Sequence, residues 1–258
     1  MSMILTDLGN VTFYTFPDDF DLHEWSDRDF SARSEQIEKF GRHGASEVSD
    51  RAITPRRVKV TGAHHAASQA ALKTFLDDLN EALHYNGEPY RFSWESGYYI
   101  NASHVRTFRM KRYKQGLAYR SADIEIEFEC PDPFWYSTTQ DGVGPTSIVT
   151  AVQDITFTNN GNVPSPLIIQ CDPTAAWADF YISNVTDAED LMRYTDPGFG
   201  SGDQLIIDGV EGTVERDGAN TIRYFRGSFL RVLPGSNTIR YSGSTGGTIT
   251  LSAPKRFL

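Results

Sequence analysis

The side chains whose types and spacing could support chemistry are a few histidines, a run of carboxylates and a group of aromatics. His64 and His65 are adjacent, with His43 and His84 elsewhere in the chain. Neighbouring histidines on one element project apart, and no third ligand stands at a zinc-like spacing. The pair therefore reads as exposed turn residues ahead of a helix. The acids of residues 203–217 (Asp203, Asp208, Glu211, Glu215 and Asp217) would suit calcium or a pair of glycosidase carboxylates. They lack the EF-hand order and alternate with turn residues, which places them at strand ends in solvent. Trp177, Tyr181, Tyr194 and Phe199 could stack on a pyranose ring, or they could be core residues and loop anchors. The sequence holds no GxSxG, no HExxH, no P-loop and no GxGxxG in a βαβ setting. These patterns point to no enzyme, no metal and no cofactor.

The elements that must carry such residues follow from the totals. The chain has 258 residues, 39% of them apolar and 22% charged, enough for one large domain or two ordinary ones with cores of their own. The formal net charge is −10, and both halves share the acidic excess. Such a chain repels a nucleic-acid backbone overall, so sequence-specific DNA or RNA binding is not expected. The only cysteines are Cys130 and Cys171, without a CxxC, which predicts buried inert thiols and a reducing compartment. The first 16 residues have no basic region ahead of their apolar ones, and no apolar run approaches the ~20 residues of a membrane span. Synthesis and folding in the cytoplasm are the expectation.

VTFYTF (11–16) and RVKVTG (57–62) read as strands. Between them the pattern dissolves. Residues 25–51 mix both charges with isolated Phe30, Ile37 and Phe40. That is long for a loop and too apolar for a plain tether, so an arm or long hairpin that packs outside its own domain is predicted, with a disordered loop as the alternative. Residues 66–85 carry the strongest helical signal. Leu72, Phe75, Leu76, Leu79 and Leu83 form one stripe, Ser68 stands as N-cap, and Asn86-Gly87 supplies a stop. Strands follow at 90–94, 98–103, 105–113 and 120–130. In the last, Ala122, Ile124, Ile126, Phe128 and Cys130 alternate with Asp123, Glu125, Glu127 and Glu129, whose acidic face would meet Arg106, Arg109, Lys111 and Arg112 across strands. Residues 1–136 thus form an α+β domain of antiparallel strands and one helix.

Pro131 and Pro133 end that strand, and Phe134, Trp135 and Tyr136 follow in a row. They are predicted to cap the first core and set the angle at which the second domain leaves, a domain joint rather than a pocket. Residues 137–150 have a linker's composition. Residues 151–258 then show short strands divided by Asp-Gly, Pro-Gly and Gly-Gly, the rhythm of a β-sandwich; NTIRY occurs at both 220–224 and 237–241 and both copies read as strands.

Several stretches in this order resemble the distal tail protein (Dit) family of long-tailed bacteriophages. They are RAITPRRVKVTG, GEPYRF after the helix, IEIEFECPDPFWYS, TNNGNVPSPLIIQ, SGDQLIIDGVEGTVERDG, GSFLRVLPGSNTIRYSG and the terminal ITLSAPKRFL. The resemblance implies a tail-tube-like N-terminal domain, an antiparallel sheet or split barrel with one helix, followed by a galectin-like sandwich. It implies a structural hub at the tail tip or baseplate. Six copies would form a ring at the end of the tail tube, with DNA passing through the centre. Its partners would be further copies of the chain, the major tail tube protein, a tail-associated tip or fibre protein and receptor-binding proteins. Such a protein resides in the virion and is assembled in the host bacterial cytoplasm. Family members use an excursion like the arm at 25–51 as a belt between neighbours, which marks Arg33, Phe40, Arg42 and Arg51 as candidate self-association residues. The competing reading is a carbohydrate-binding module used in adhesion to the host surface.

Overall fold

The computed structural model describes residues 4–7, 12–16, 20–29, 32–38, 45–53, 55–83, 90–93, 97–115, 118–187 and 191–258. The chain divides into two compact units, Met1–Trp135 and Tyr136–Leu258. The first contains β1 (Ile4–Asp7), β2 (Thr12–Thr15), β3 (Phe20–Asp29), β4 (Ala32–Glu38), β5 (Ala45–Ile53), β6 (Arg56–His65), α1 (Gln69–Leu83), β7 (Tyr90–Ser93), β8 (Tyr98–Ala102), β9 (His104–Gln115) and β10 (Ala118–Cys130). Strands β3-β6-β10-β9 form one antiparallel sheet, β8-β7-β1-β2 lie side by side in another, and β4 pairs only with β5 among the described residues.

The helix forms where its apolar stripe predicts it. Leu72, Phe75, Leu76, Leu79, Ala82 and Leu83 are buried, and the Ala71 N–H donates to the Ser68 hydroxyl at 3.1 Å, so Ser68 is the N-cap. On the outer face Lys73 pairs with Asp77 one turn on. The helix packs on β10, whose Ile124, Ile126 and Phe128 share a core with Val58, Val60, Phe92 and Ile100. Each large side chain so buried contributes about 1.5–3 kcal/mol.

Two expectations for this unit change. Residues 25–29 of the expected arm belong to β3, which pairs with β6. The strand was hidden because its register shifts at Leu22/Glu24 and again at Ser26/Asp29, and each shift breaks the period of two by which a strand is recognised. His64 is not an exposed turn residue. It lies in β6, is buried, and sits on the Phe75 ring at a centroid distance of 4.0 Å. His65 is the exposed one and bonds to the Ser121 hydroxyl at 2.9 Å.

The second unit contains β11 (Trp135–Ser147, beginning one residue earlier), β12 (Val152–Asn159), β13 (Ser165–Pro166), β14 (Ile168–Pro173), β15 (Asp179–Asn184), β16 (Leu191–Thr195), β17 (Leu205–Asp208), β18 (Thr213–Arg216), β19 (Ala219–Asn220), β20 (Phe225–Gly227), β21 (Arg231–Val232), β22 (Gly235–Ser242) and β23 (Gly247–Phe257). Strands β19-β18-β17-β14-β23-β11 are neighbours in one sheet and β12-β22-β15-β16-β20 make a second. Ile169, Leu205, Ile207 and Leu251 of the first share one core with Phe157, Phe180, Met192, Tyr194, Ile239 and Tyr241 of the second.

The expected linker is corrected here, since residues 137–147 are strand, next to β23. Gly142, Gly144 and Pro145 mask the alternation, but Asp141 is buried and Lys255 of β23 reaches its carboxylate at 3.4 Å. The two NTIRY pentapeptides also part company. Residues 237–241 lie within β22, with Asn237, Ile239 and Tyr241 buried, whereas Ile222–Tyr224 form a 3-10 turn with Ile222 exposed. Identical sequence takes different backbone because surroundings outweigh propensity. Residues 228–230 separate β20 from β21.

Candidate functional site

The acids of β10 stand where their alternation places them. Glu125 lies between Arg109 of β9 and Lys59 of β6, each 3.7 Å away, and Glu127 lies 3.8 Å from Arg57. The Tyr113 hydroxyl donates to Asp123 at 2.6 Å. Such half-exposed pairs contribute about 0–1 kcal/mol each. Arg109, Tyr113, Asp123 and Glu125 line an open depression of about 970 Å³ with Thr61, Gly62 and Lys111.

Charge along the two margins of the sheet is unequal. The edge strands among the described residues are β3 and β9. By sequence β3 carries Asp21, Glu24, Asp27 and Asp29 against Arg28, while β9 carries Arg106, Arg109, Lys111, Arg112 and Lys114 with no acid. By sequence one edge strand is acidic and the other basic, and among the described residues neither has a further strand beside it.

Of the predicted arm, Arg33 lies in β4 and Arg51 in β5; Phe40 and Arg42 lie outside the described residues. The β4–β5 register shifts between the Ala32↔Ile53 and Ser34↔Ser49 pairs, so Arg33 and Arg51 fall in the same irregularity. Of the predicted joint residues, half-buried Trp135 packs against the core of the first unit. Within the second unit the Tyr136 ring faces the Arg256 guanidinium at 5.9 Å. The Phe134 N–H donates to Asp132 at 3.3 Å.

In the second unit the residues that looked chemical are structural. Trp177, Tyr194 and Phe199 are buried around Phe180 and Tyr241, so they are unavailable for stacking on a sugar. Tyr181 is exposed, but the Arg193 guanidinium lies 4.9 Å over its ring. Asp208 accepts the N–H groups of Val210 and Glu211 at 2.7 and 3.0 Å, and Asp217 accepts that of Gln204 at 2.9 Å, so both fasten turns. Among the described residues no group of three His, Cys, Asp or Glu side chains could hold a metal.

Sequence reasoning missed the asparagine locks. In Asn159-Asn160-Gly161-Asn162 the buried Asn159 donates to the carbonyls of Val163 and Val232 (3.0 and 3.1 Å) and accepts from the Gly161 N–H (2.8 Å). Asn160 donates to Asp141 through its backbone at 2.7 Å and its amide at 2.6 Å. The Asn162 N–H reaches the Arg256 carbonyl at 3.0 Å, and its side chain accepts the Leu258 N–H at 2.9 Å. A Cβ on Gly161 would run into the Arg256 carbonyl, so the turn needs glycine to lie this close to β23. Asn237 makes a similar lock after Pro234-Gly235, bonding to Leu233 and Gly235 and accepting from Asn184. The available signal was the Asn-Gly and Pro-Gly punctuation itself.

Burial and ion pairing govern the ionisable groups of both units. Burial pushes the Cys130 thiol up to about 12, beyond the moderating effect of Arg56, and burial raises Cys171 too. Hydrogen bonds from Arg240 and Arg193 hold the Asp154 and Asp179 carboxyls below the usual range. Asp196 is buried against Arg216 at 2.9 Å and also accepts from the Tyr194 hydroxyl and the Gly198 N–H, so its charge is satisfied inside the fold.

Residues 160–253 match the family model of the siphovirus-type tail component, C-terminal domain. No individual curated protein matches the sequence significantly. Among solved structures the fold is similar to that of the Dit protein of phage SPP1, described as a paradigm of the hub adsorption apparatus in phages that infect Gram-positive bacteria. The TM-score is 0.73 over 99% of both chains at 16% identity.

Proposed function

We propose that this chain, which carries the siphovirus-type tail component domain, works as a structural hub of the tail's adsorption apparatus by closing into a ring of six copies. The observation that carries the reading is the opposition of charge between the two edges of one sheet. A ring requires two different patches that meet head to tail. Pairing β9 of one copy alongside β3 of the next would satisfy both rows of backbone groups and set five bases against four acids. The same contact between like edges would repel, which selects head-to-tail closure over a symmetric dimer.

In this reading the β4–β5 hairpin, with Arg33 and Arg51 and the adjoining Phe40 and Arg42, is the arm that reaches a neighbouring copy. Phe134, Trp135 and Tyr136 are the joint from which the second domain, a galectin-like sandwich, is carried. The ring joins the tail tube to tip and receptor-binding proteins in the virion, and DNA passes through its centre. The role is structural rather than catalytic. Charge reversal tests the seam. R109E/K111E is expected to abolish the ring, D21K/E24K to do the same, and a mixture of the two variants to form β9–β3 contacts again between unlike copies. Either variant assembling alone as the wild type does would sink the seam.

A further inference from the structure

The second unit leaves one long strand edge unpaired. In the sheet β12-β22-β15-β16-β20 the margins are β12 and β20. Strand β20 is three residues long and closes at Gly227, whose φ of +99° turns the chain out of extended geometry. Strand β12 runs for eight residues in unbroken register with β22 and holds no proline, bulge or basic residue. No further strand lies beside it among the described residues. Shortness, bulges, prolines and lysines are the usual protection of an edge, so β20 is blunted and β12 is not.

The direction of the β12 backbone groups follows from one bond. The Gly243 N–H donates to the Ala151 carbonyl at 2.9 Å, which puts the odd-numbered residues of 151–159 in the hydrogen-bonded pairs with β22. Val152, Asp154, Thr156 and Thr158 then direct their N–H and C=O groups away from β22. The Val152 carbonyl accepts from the Thr150 hydroxyl at 2.8 Å, as that direction allows. The outward groups of Asp154, Thr156 and Thr158 meet no partner among the described residues. Their side chains are exposed, while Ile155, Phe157 and Asn159 alternate into the interior. The one charge on the strand, Asp154, is held by Arg240 at 2.7 and 2.9 Å.

We infer that β12 is a self-association edge, pairing antiparallel with β12 of a second copy about a two-fold axis at Thr156. In that register Thr156 stands opposite its own counterpart and Asp154 opposite Thr158. Every outward N–H and C=O of these residues then meets a backbone partner. No like charges oppose, and the Thr158 hydroxyl can donate to the Asp154 carboxylate across the junction. An axis at Asp154 would instead set two carboxylates face to face. An extended segment of a different protein is the rival occupant. Because β12 belongs to the second unit and β3 and β9 to the first, the contact does not depend on the ring.

The test uses the full chain carrying R109E/K111E, which removes the β9–β3 contact, with mass read by light scattering and amide hydrogen exchange read residue by residue. At about 100 μM it is expected to run at about 58 kDa, two copies of 28.9 kDa. The Asp154, Thr156 and Thr158 amides should then exchange at least about tenfold more slowly than at about 1 μM. In the same background T156P removes an outward N–H but no bond to β22, and T156K sets two ammonium groups opposite each other. Each alone is expected to give 28.9 kDa, and T156K mixed with T156E to restore the pair. A chain that stays monomeric at about 100 μM overturns the inference. So does a dimer that T156P and T156K leave intact, or one whose three amides exchange as in the dilute chain. Slowing of those amides only when another tail protein is added would assign the edge to the rival. If R109E/K111E keeps the wild-type mass, the β9–β3 seam fails by its own test, while the three amides still decide this contact.

Discussion

Replacing Asn159 with alanine removes the central lock of the second unit. The side chain is buried and makes three hydrogen bonds, to the carbonyls of Val163 and Val232 and from the Gly161 N–H. Each such bond contributes about 1 kcal/mol, and a buried partner left unsatisfied costs about 1–3 kcal/mol. A loss of about 3 kcal/mol is therefore expected, since some relaxation and entry of water soften the total. For a unit of about 120 residues, 1 kcal/mol moves the midpoint by about 4 °C, so Tm should fall by about 12 °C. Asn159→Asp should be worse, because it faces two carbonyl oxygens with an acceptor in place of a donor. Differential scanning calorimetry reads this directly, with the expected shift confined to the transition of the C-terminal unit. A shift under about 2 °C, or one in the other unit's transition, would refute the assignment of the lock.

Three further outcomes follow from the same structure. The Asp154 carboxyl, held low by Arg240, is expected to titrate below the usual range in a carbon-detected NMR series and to return to the ordinary carboxylate range in R240Q. Because its folded value is depressed, the stability from this pair is present above the unfolded pKa and disappears as pH falls through the folded one. Cys130 and Cys171 should resist Ellman's reagent at pH 8 in the native protein and react fully after unfolding, and rapid native reaction of either would contradict their burial. Trp135→Ala is expected to destabilise the first unit by about 1–3 kcal/mol through lost packing on its core, and unchanged melting together with unchanged assembly would remove the joint from the account.

How much of this was legible depended on period. The helix at Gln69–Leu83 and the strand at Ala118–Cys130 are one-sided elements whose apolar spacing is unbroken over many residues, so the sequence alone locates their buried faces. Strand β3 was lost because two register shifts scramble its alternation, and β11 because its glycines and proline imitate a linker. His64 was misplaced because nothing local tells a strand-end histidine stacked on Phe75 from one in a turn. The aromatics Trp177, Tyr194 and Phe199 left two readings open until burial decided for the core. The charged edges were beyond reach for a different reason. Residues 20–29 and 104–115 are far apart in sequence, and only the strand order reveals them as opposite margins of one sheet.

The central claim is that copies of this chain close into a ring, and the most direct measurement is the mass of the purified protein by native mass spectrometry, confirmed by light scattering across a concentration series. Six copies of a 28.9 kDa chain give a particle of about 173 kDa, or twice that if two rings stack. A single species at 28.9 kDa that persists to about 100 μM, far above the range of a standard-size specific interface, would contradict it.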